Sequence, residues 1–172
     1  MKRLRTLVIV MAGLLATATL ARAEIFQATL TGYEEVPVVS SAGTGLFYAS
    51  TDTGDSIFYS LWYTKMQGTV TQAHIHIAQP AVNGSIVIWL CQTPANIDPT
   101  GSSPQCPAQE GTVSGTITAA NVIAGSQAAQ QLSAGDIKAA LTAIRAGAAY
   151  ANVHTSLSTG GEIRGQIRVI SK

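Results

Sequence analysis

Three histidines, His74, His76 and His154, are the only ones in the chain, and their spacing suggests shared chemistry. His74 and His76 lie in Thr71-Gln72-Ala73-His74-Ile75-His76-Ile77-Ala78, which alternates at period two and reads as a β-strand. Residues i and i+2 of a strand share a face, so both imidazoles stand on one side while Ile75 and Ile77 point into a core. His154 belongs to a second run, Tyr150-Ala151-Asn152-Val153-His154-Thr155, where Ala151 and Val153 point inward and Asn152 and His154 outward. Neutral imidazole is a good ligand for copper and zinc. If folding joins the two strands, three imidazoles converge on the outer face of the sheet and can hold one ion with an open position. Glu162, at the start of a later strand, is a candidate fourth ligand or an acceptor that fixes a ring nitrogen. The competing reading makes the histidines ordinary outward polar residues bonded to Asn152 or Glu162, and makes Glu162 the ion-pair partner of Arg164.

The strands that would position these residues alternate throughout. Ile25 to Leu30, Gly45 to Thr51, Ser56 to Tyr63, Val70 to Ala78, Ser85 to Cys91, Gly111 to Thr118, Ala148 to Thr155 and Glu162 to Val169 each read as strand. Turn signals separate them, among them Asp52-Thr53-Gly54-Asp55, Asn83-Gly84 and Ser158-Thr159-Gly160-Gly161. Asn83-Gly84-Ser85 also fits a glycosylation sequon, though a tight turn explains it better. One segment changes period: Ile137, Leu141 and Ile144 recur at helical spacing, with Ser133 as the expected cap and a helix over roughly Ala134 to Ala146. The expected fold is therefore all-β, an antiparallel Greek-key sandwich or barrel of about eight strands with one short helix.

The first residues carry no fold signal. Lys2, Arg3 and Arg5 precede the apolar run Leu7 to Leu20, and Ala21-Arg22-Ala23 is a cleavage signal. Residues 1–23 thus read as a secretory signal peptide and 24–172 as one β domain, with no membrane span after cleavage. Export, to the periplasm or beyond, agrees with Cys91 and Cys106 forming a disulfide around the proline-rich segment Gln92 to Gln105. Cleavage would remove four of the ten basic residues against nine acidic ones, which leaves no basic patch for nucleic acid. No nucleotide loop or serine-hydrolase elbow occurs, and the adjacent Glu34 and Glu35 make a poor acid/base pair on extended chain. Trp62, Trp89, Tyr48, Tyr59 and Tyr63 read as core or sheet-face packing.

Several segments, in order, resemble the CHRD domain, the module named after chordin. They are Ala28-Thr29-Leu30-Thr31-Gly32 with Glu35-Val36-Pro37, Ala73-His74-Ile75-His76, Val82-Asn83-Gly84, Ala146-Gly147 leading to Tyr150-Ala151-Asn152-Val153-His154-Thr155, and Gly160-Gly161-Glu162-Ile163-Arg164-Gly165-Gln166-Ile167. Val38 stands where a second proline is common, and Ile77 where a glycine often follows the histidine triplet. The resemblance implies an extracellular, mainly β domain, and in chordin the module belongs to a binding protein. The His-x-His strand is also similar to the copper strand of Cu,Zn superoxide dismutase, but this chain lacks the further histidines and aspartate of that zinc site. The expected function is metal handling by an exported copper- or zinc-binding domain. The alternative is a non-enzymatic module that binds another extracellular protein or matrix component, and a dismutase-like redox enzyme ranks third.

Overall fold

The computed structural model describes residues 23–171, so the expected signal peptide lies outside the described residues except for its last position. Nine strands and one α-helix follow: β1 (Glu24–Thr31), β2 (Thr44–Thr51), β3 (Ile57–Thr64), β4 (Val70–Ile77), β5 (Ser85–Cys91), β6 (Gly111–Ile117), α1 (Ile137–Arg145), β7 (Ala149–Thr155), β8 (Ile163–Gln166) and β9 (Arg168–Ser171). All pairings between them are antiparallel, in the order β5-β4-β7-β8-β1-β2-β3-β6, with β9 also on β1. The all-β expectation holds, and the sheet curls into a nearly closed barrel. Among the described residues no helix is long and apolar enough to cross a membrane.

The interior follows from the alternation. Phe26, Leu30, Phe47, Leu61, Ile75, Ala151, Val153 and Ile163 all face inward and are buried in one core. Burial at roughly 25 cal/mol per Å² of apolar surface is what holds such strands to one register, because a one-residue slip would turn every one of these side chains outward. The gap between the outermost strands is bridged by side chains and by the segments after β5. Tyr59 Oη donates to the Leu90 carbonyl at 2.7 Å, and Ile123 N donates to the Val87 carbonyl at 2.9 Å. Cys91 and Cys106 form the expected disulfide.

Two sequence readings shift. The last strand is two strands, interrupted at the fully buried Ile167. The helix begins at Ile137, three residues later than expected, because Asp136 and not Ser133 caps it: its carboxylate accepts from Ala139 N at 2.9 Å. Gly135, at φ +81°, occupies a left-handed conformation that cannot continue a helix back to residue 134. Ile137, Ala140, Leu141 and Ile144 then cover the core near the β2–β3 hairpin.

Candidate metal centre

β4 and β7 are neighbours, with His74 opposite Asn152, His76 opposite Tyr150 and Gln72 opposite His154. This register puts the three histidines on the outward face of two adjacent strands, as their alternation requires. The three side chains offer ring nitrogens that all lie within 4.8 Å of one another. They are not on an open surface, however. His74 is 0%, His76 6% and His154 5% exposed. The expectation of an exposed outer face is therefore corrected: outward from the barrel here means into a second, polar layer roofed by loops.

Those loops come from three places. The segment after β1 inserts Glu35, whose Oε1 accepts from Asn152 Nδ2 at 2.7 Å. The turn after β4 is held by Asn83, which donates from Nδ2 to the Val36 carbonyl at 3.0 Å and accepts from Arg164 at 3.1 Å. The turn after β7 places the Thr159 carbonyl 3.0 Å from His154 Nδ1. Gly161, at φ +129°, lies so close that an added Cβ would fall 2.5 Å from Glu35 Oε1. A cavity of about 220 Å³ lies where the loops meet, lined by Glu35, Val36, Pro37, Asn83, Ser158 and Gly160 among others.

Hydrogen bonds assign the ring protons. His76 Nδ1 is 3.0 Å from the Gly84 carbonyl and His154 Nδ1 is 3.0 Å from that of Thr159. A carbonyl only accepts, so both Nδ1 atoms donate and both Nε2 atoms carry lone pairs in the neutral rings. His154 Nε2 meets His74 Nδ1 at 3.2 Å, while Nε2 of His74 and of His76 are buried with no hydrogen-bond partner. An unmade hydrogen bond on a buried polar atom costs about 1–3 kcal/mol, so such groups call for an explanation, and a bound ion is one.

The protonation states suit metal binding. Burial holds the His74 pKa well below its ordinary value, and the neighbouring His154 and His76 lower it further. Burial pushes His76 down to about 4, although its bond to the Gly84 carbonyl opposes the shift. His154 is lowered by burial in the same way. All three are therefore neutral near pH 7, the form that ligates metal without first losing a proton.

Glu162 lies outside this group of three. Its carboxylate accepts from Gln67 N at 2.7 Å, Gly68 N at 3.1 Å, Ser41 Oγ at 2.7 Å and Thr155 Oγ1 at 2.7 Å. Burial raises its pKa, but these four donors outweigh that and leave it below the ordinary carboxylate value. Arg164 does not pair with it either. Its guanidinium lies 3.4 Å from the centroid of the Tyr150 ring and donates to the Val82 carbonyl at 2.7 Å. Tyr150 in turn stacks on His76, with centroids 4.7 Å apart and planes 5° from parallel. On the other side, Trp89 of β5 presents its ring edge-on to His74 at 4.3 Å.

Glu35, Tyr150, Arg164 and Trp89 had no place in the sequence-derived site. The order of the resembling segments did hint at three of them, because Glu35-Val36-Pro37, Val82-Asn83-Gly84 and the two β7–β8 segments all meet in this roof. A family model described as CHRD domain matches residues 26–167. The chain belongs to the CHRD domain family. No curated protein and no solved structure matches it. The CHRD match runs from Phe26 in β1 to Ile167, so it contains β2 to β8, all three histidines and each roofing loop.

Proposed function

We propose that this CHRD domain is an exported metal-binding protein that holds copper or zinc through His74, His76 and His154 and serves in metal handling. The observation that carries this reading is the cluster of three buried imidazoles that each offer a ring nitrogen within 4.8 Å of the others, with the Nε2 of His76 left without a hydrogen-bond partner. His76 and His154 would ligate through Nε2, since their Nδ1 atoms are engaged by carbonyls, and those carbonyls orient the rings. Two nitrogens bound to one ion at roughly 2.0–2.1 Å in tetrahedral geometry lie about 3.3 Å apart. The 3.2 Å between His74 Nδ1 and His154 Nε2 matches that separation as well as it matches a hydrogen bond. A bound ion would act as a Lewis acid at that point, and the protein supplies a dry pocket of neutral donors around it. Disulfide-stapled structure agrees with export.

Calorimetric titration of untagged protein with Cu(II), Zn(II) and, without oxygen, Cu(I) tests the reading. One equivalent bound by the native protein and none by His76→Ala is the expected result. Binding that is equally strong in His76→Ala removes the site.

A second reading rests on the outer face of β2 and β3, where Leu46, Tyr48, Phe58 and Trp62 are exposed. Such a row of apolar and aromatic side chains favours an extracellular interaction module. Stoichiometric metal absent from the purified protein, with a partner lost on Trp62→Ser, would favour this reading over the first.

A further inference from the structure

The ligand set says more than that a metal fits; it says which charge the metal should carry. All three donors are uncharged, and among the described residues no cysteine, aspartate, glutamate or further histidine joins the group. Both cysteines are tied up in the disulfide. Neither Glu162 nor Glu35 bonds to a histidine ring: Glu162 accepts from its four donors, and Glu35 accepts from Asn152. The fixed charge that does reach the cluster has the wrong sign. Arg164 is 2% exposed, packs on the Tyr150 ring, and that ring stacks on His76.

The cost of taking an ion out of water grows with the square of its charge, so a dication costs about four times as much as a monocation of equal size. A buried dication held by neutral ligands alone is compensated by its bonds to them and by no opposite charge, and a guanidinium one aromatic ring away adds to the cost. Zinc and divalent copper also complete their coordination with a fourth or further ligand, whereas a closed-shell monovalent ion is satisfied by three neutral donors. We infer that the three-histidine site selects monovalent copper, Cu(I), over Cu(II) and Zn(II), because an all-neutral donor triad is buried with the Arg164 cation one aromatic ring away and no carboxylate in contact with it. This rests on the three-histidine reading and names the ion that reading leaves open.

The test measures dissociation constants of the full mature chain for Cu(I), Cu(II) and Zn(II) by competition with chelators of known affinity, Cu(I) under anaerobic conditions. Cu(I) should bind at least tenfold more tightly than either dication. For the copper couple, each tenfold preference raises the reduction potential of the bound ion by about 59 mV, which voltammetry reads independently. Cu(II) or Zn(II) bound through His76 to within tenfold of Cu(I) overturns the selectivity while leaving the site intact. No ion bound in a His76-dependent manner overturns the site and the selectivity together. Arg164→Met should narrow the gap by strengthening the dications, and Arg164→Lys, which keeps the charge, should preserve it. A gap unchanged in a folded Arg164→Met protein overturns the assigned role of that cation. If that variant does not fold, the native affinity ratio and potential decide alone.

Discussion

His74 Nδ1 lies 3.2 Å from His154 Nε2, although 80 residues separate them along the chain. That contact is made by neighbouring strands whose register places Gln72, not His74, directly opposite His154. The two rings therefore meet on a diagonal, a separation that long or aromatic side chains span and short ones do not. His76 completes the set from the same strand as His74, with its ring 5.5 Å from that of His74 and 5.9 Å from that of His154. Two strands and one register fix the whole triad, and the roof is what turns three surface residues into a buried site.

His154→Ala should abolish high-affinity metal binding, by at least 100-fold in Kd, since it removes one of three ligands. Metal at 100 times Kd should stabilise the native protein by about 2.7 kcal/mol, a rise of roughly 5–11 °C in Tm for a chain of this size. The variant should show no such rise. Thermal melts with and without copper or zinc check both statements, and a metal-dependent rise retained in the variant would exclude His154 as a ligand.

The metal-free protein should lose stability in acid through its histidines. His76 falls to about 4 in the folded state, from an ordinary 6.5, so the unfolded chain binds the extra proton first. The contribution is complete above pH 6.5 and drains away as pH falls through 4, by roughly 3 kcal/mol at most. His76→Gln should flatten that part of the curve in chelator-treated protein, as measured by urea melts at pH 7 and pH 4. A native and a variant curve of the same slope over this range would show that His76 is not held neutral by burial.

Glu35 should act with the opposite sign. Burial raises its pKa to about 7, against the opposing bond from Asn152 and the charge of Arg164. The folded state therefore binds the proton that the unfolded chain has released, and this contribution is present below pH 4.5 and lost as pH rises through 7. Glu35→Gln keeps an acceptor for Asn152 without the charge. Relative to the native protein it should gain stability between pH 5 and pH 8, by up to about 3 kcal/mol. A relative stability that stays constant over that interval would contradict a buried carboxyl at this position.

The fold and the triad were legible because both depend on alternation. Ile75 and Val153 had to face the core, and His74, His76 and His154 then had to face away from it. The burial of the triad was not legible, since irregular segments have no period that says what they cover. Arg164 shows the gap: it does point outward with Gln166 and Arg168, yet Arg164 is buried whereas Arg168 is exposed. The adjacent Glu34 and Glu35, a poor acid/base pair by sequence, do lie in different surroundings, as Glu34 is exposed and Glu35 is in the roof. The helix start failed for a more local reason, two eligible capping residues three positions apart, of which Asp136 has a free amide to bond.

The paired glycines at 160 and 161 give a last, sharper test of the roof. Gly161 adopts φ +129°, and a Cβ there would lie 2.5 Å from Glu35 Oε1 and 2.6 Å from Asn152 Nδ2. Gly160 has nothing within 4 Å of the same construction. Gly161→Ala must both strain the backbone and push apart the Glu35–Asn152 bond that closes the site, at a cost of roughly 1–3 kcal/mol from the backbone alone. Gly160→Ala should stay within about 0.5 kcal/mol of the native protein. Because Asn152 lies opposite His74 in register and two residues before His154 on β7, the Gly161 variant should also bind metal more weakly, whereas the Gly160 variant should bind it as the native protein does. Equal stability and equal metal affinity of the two variants would mean that the loop after β7 does not hold the roof over the histidines.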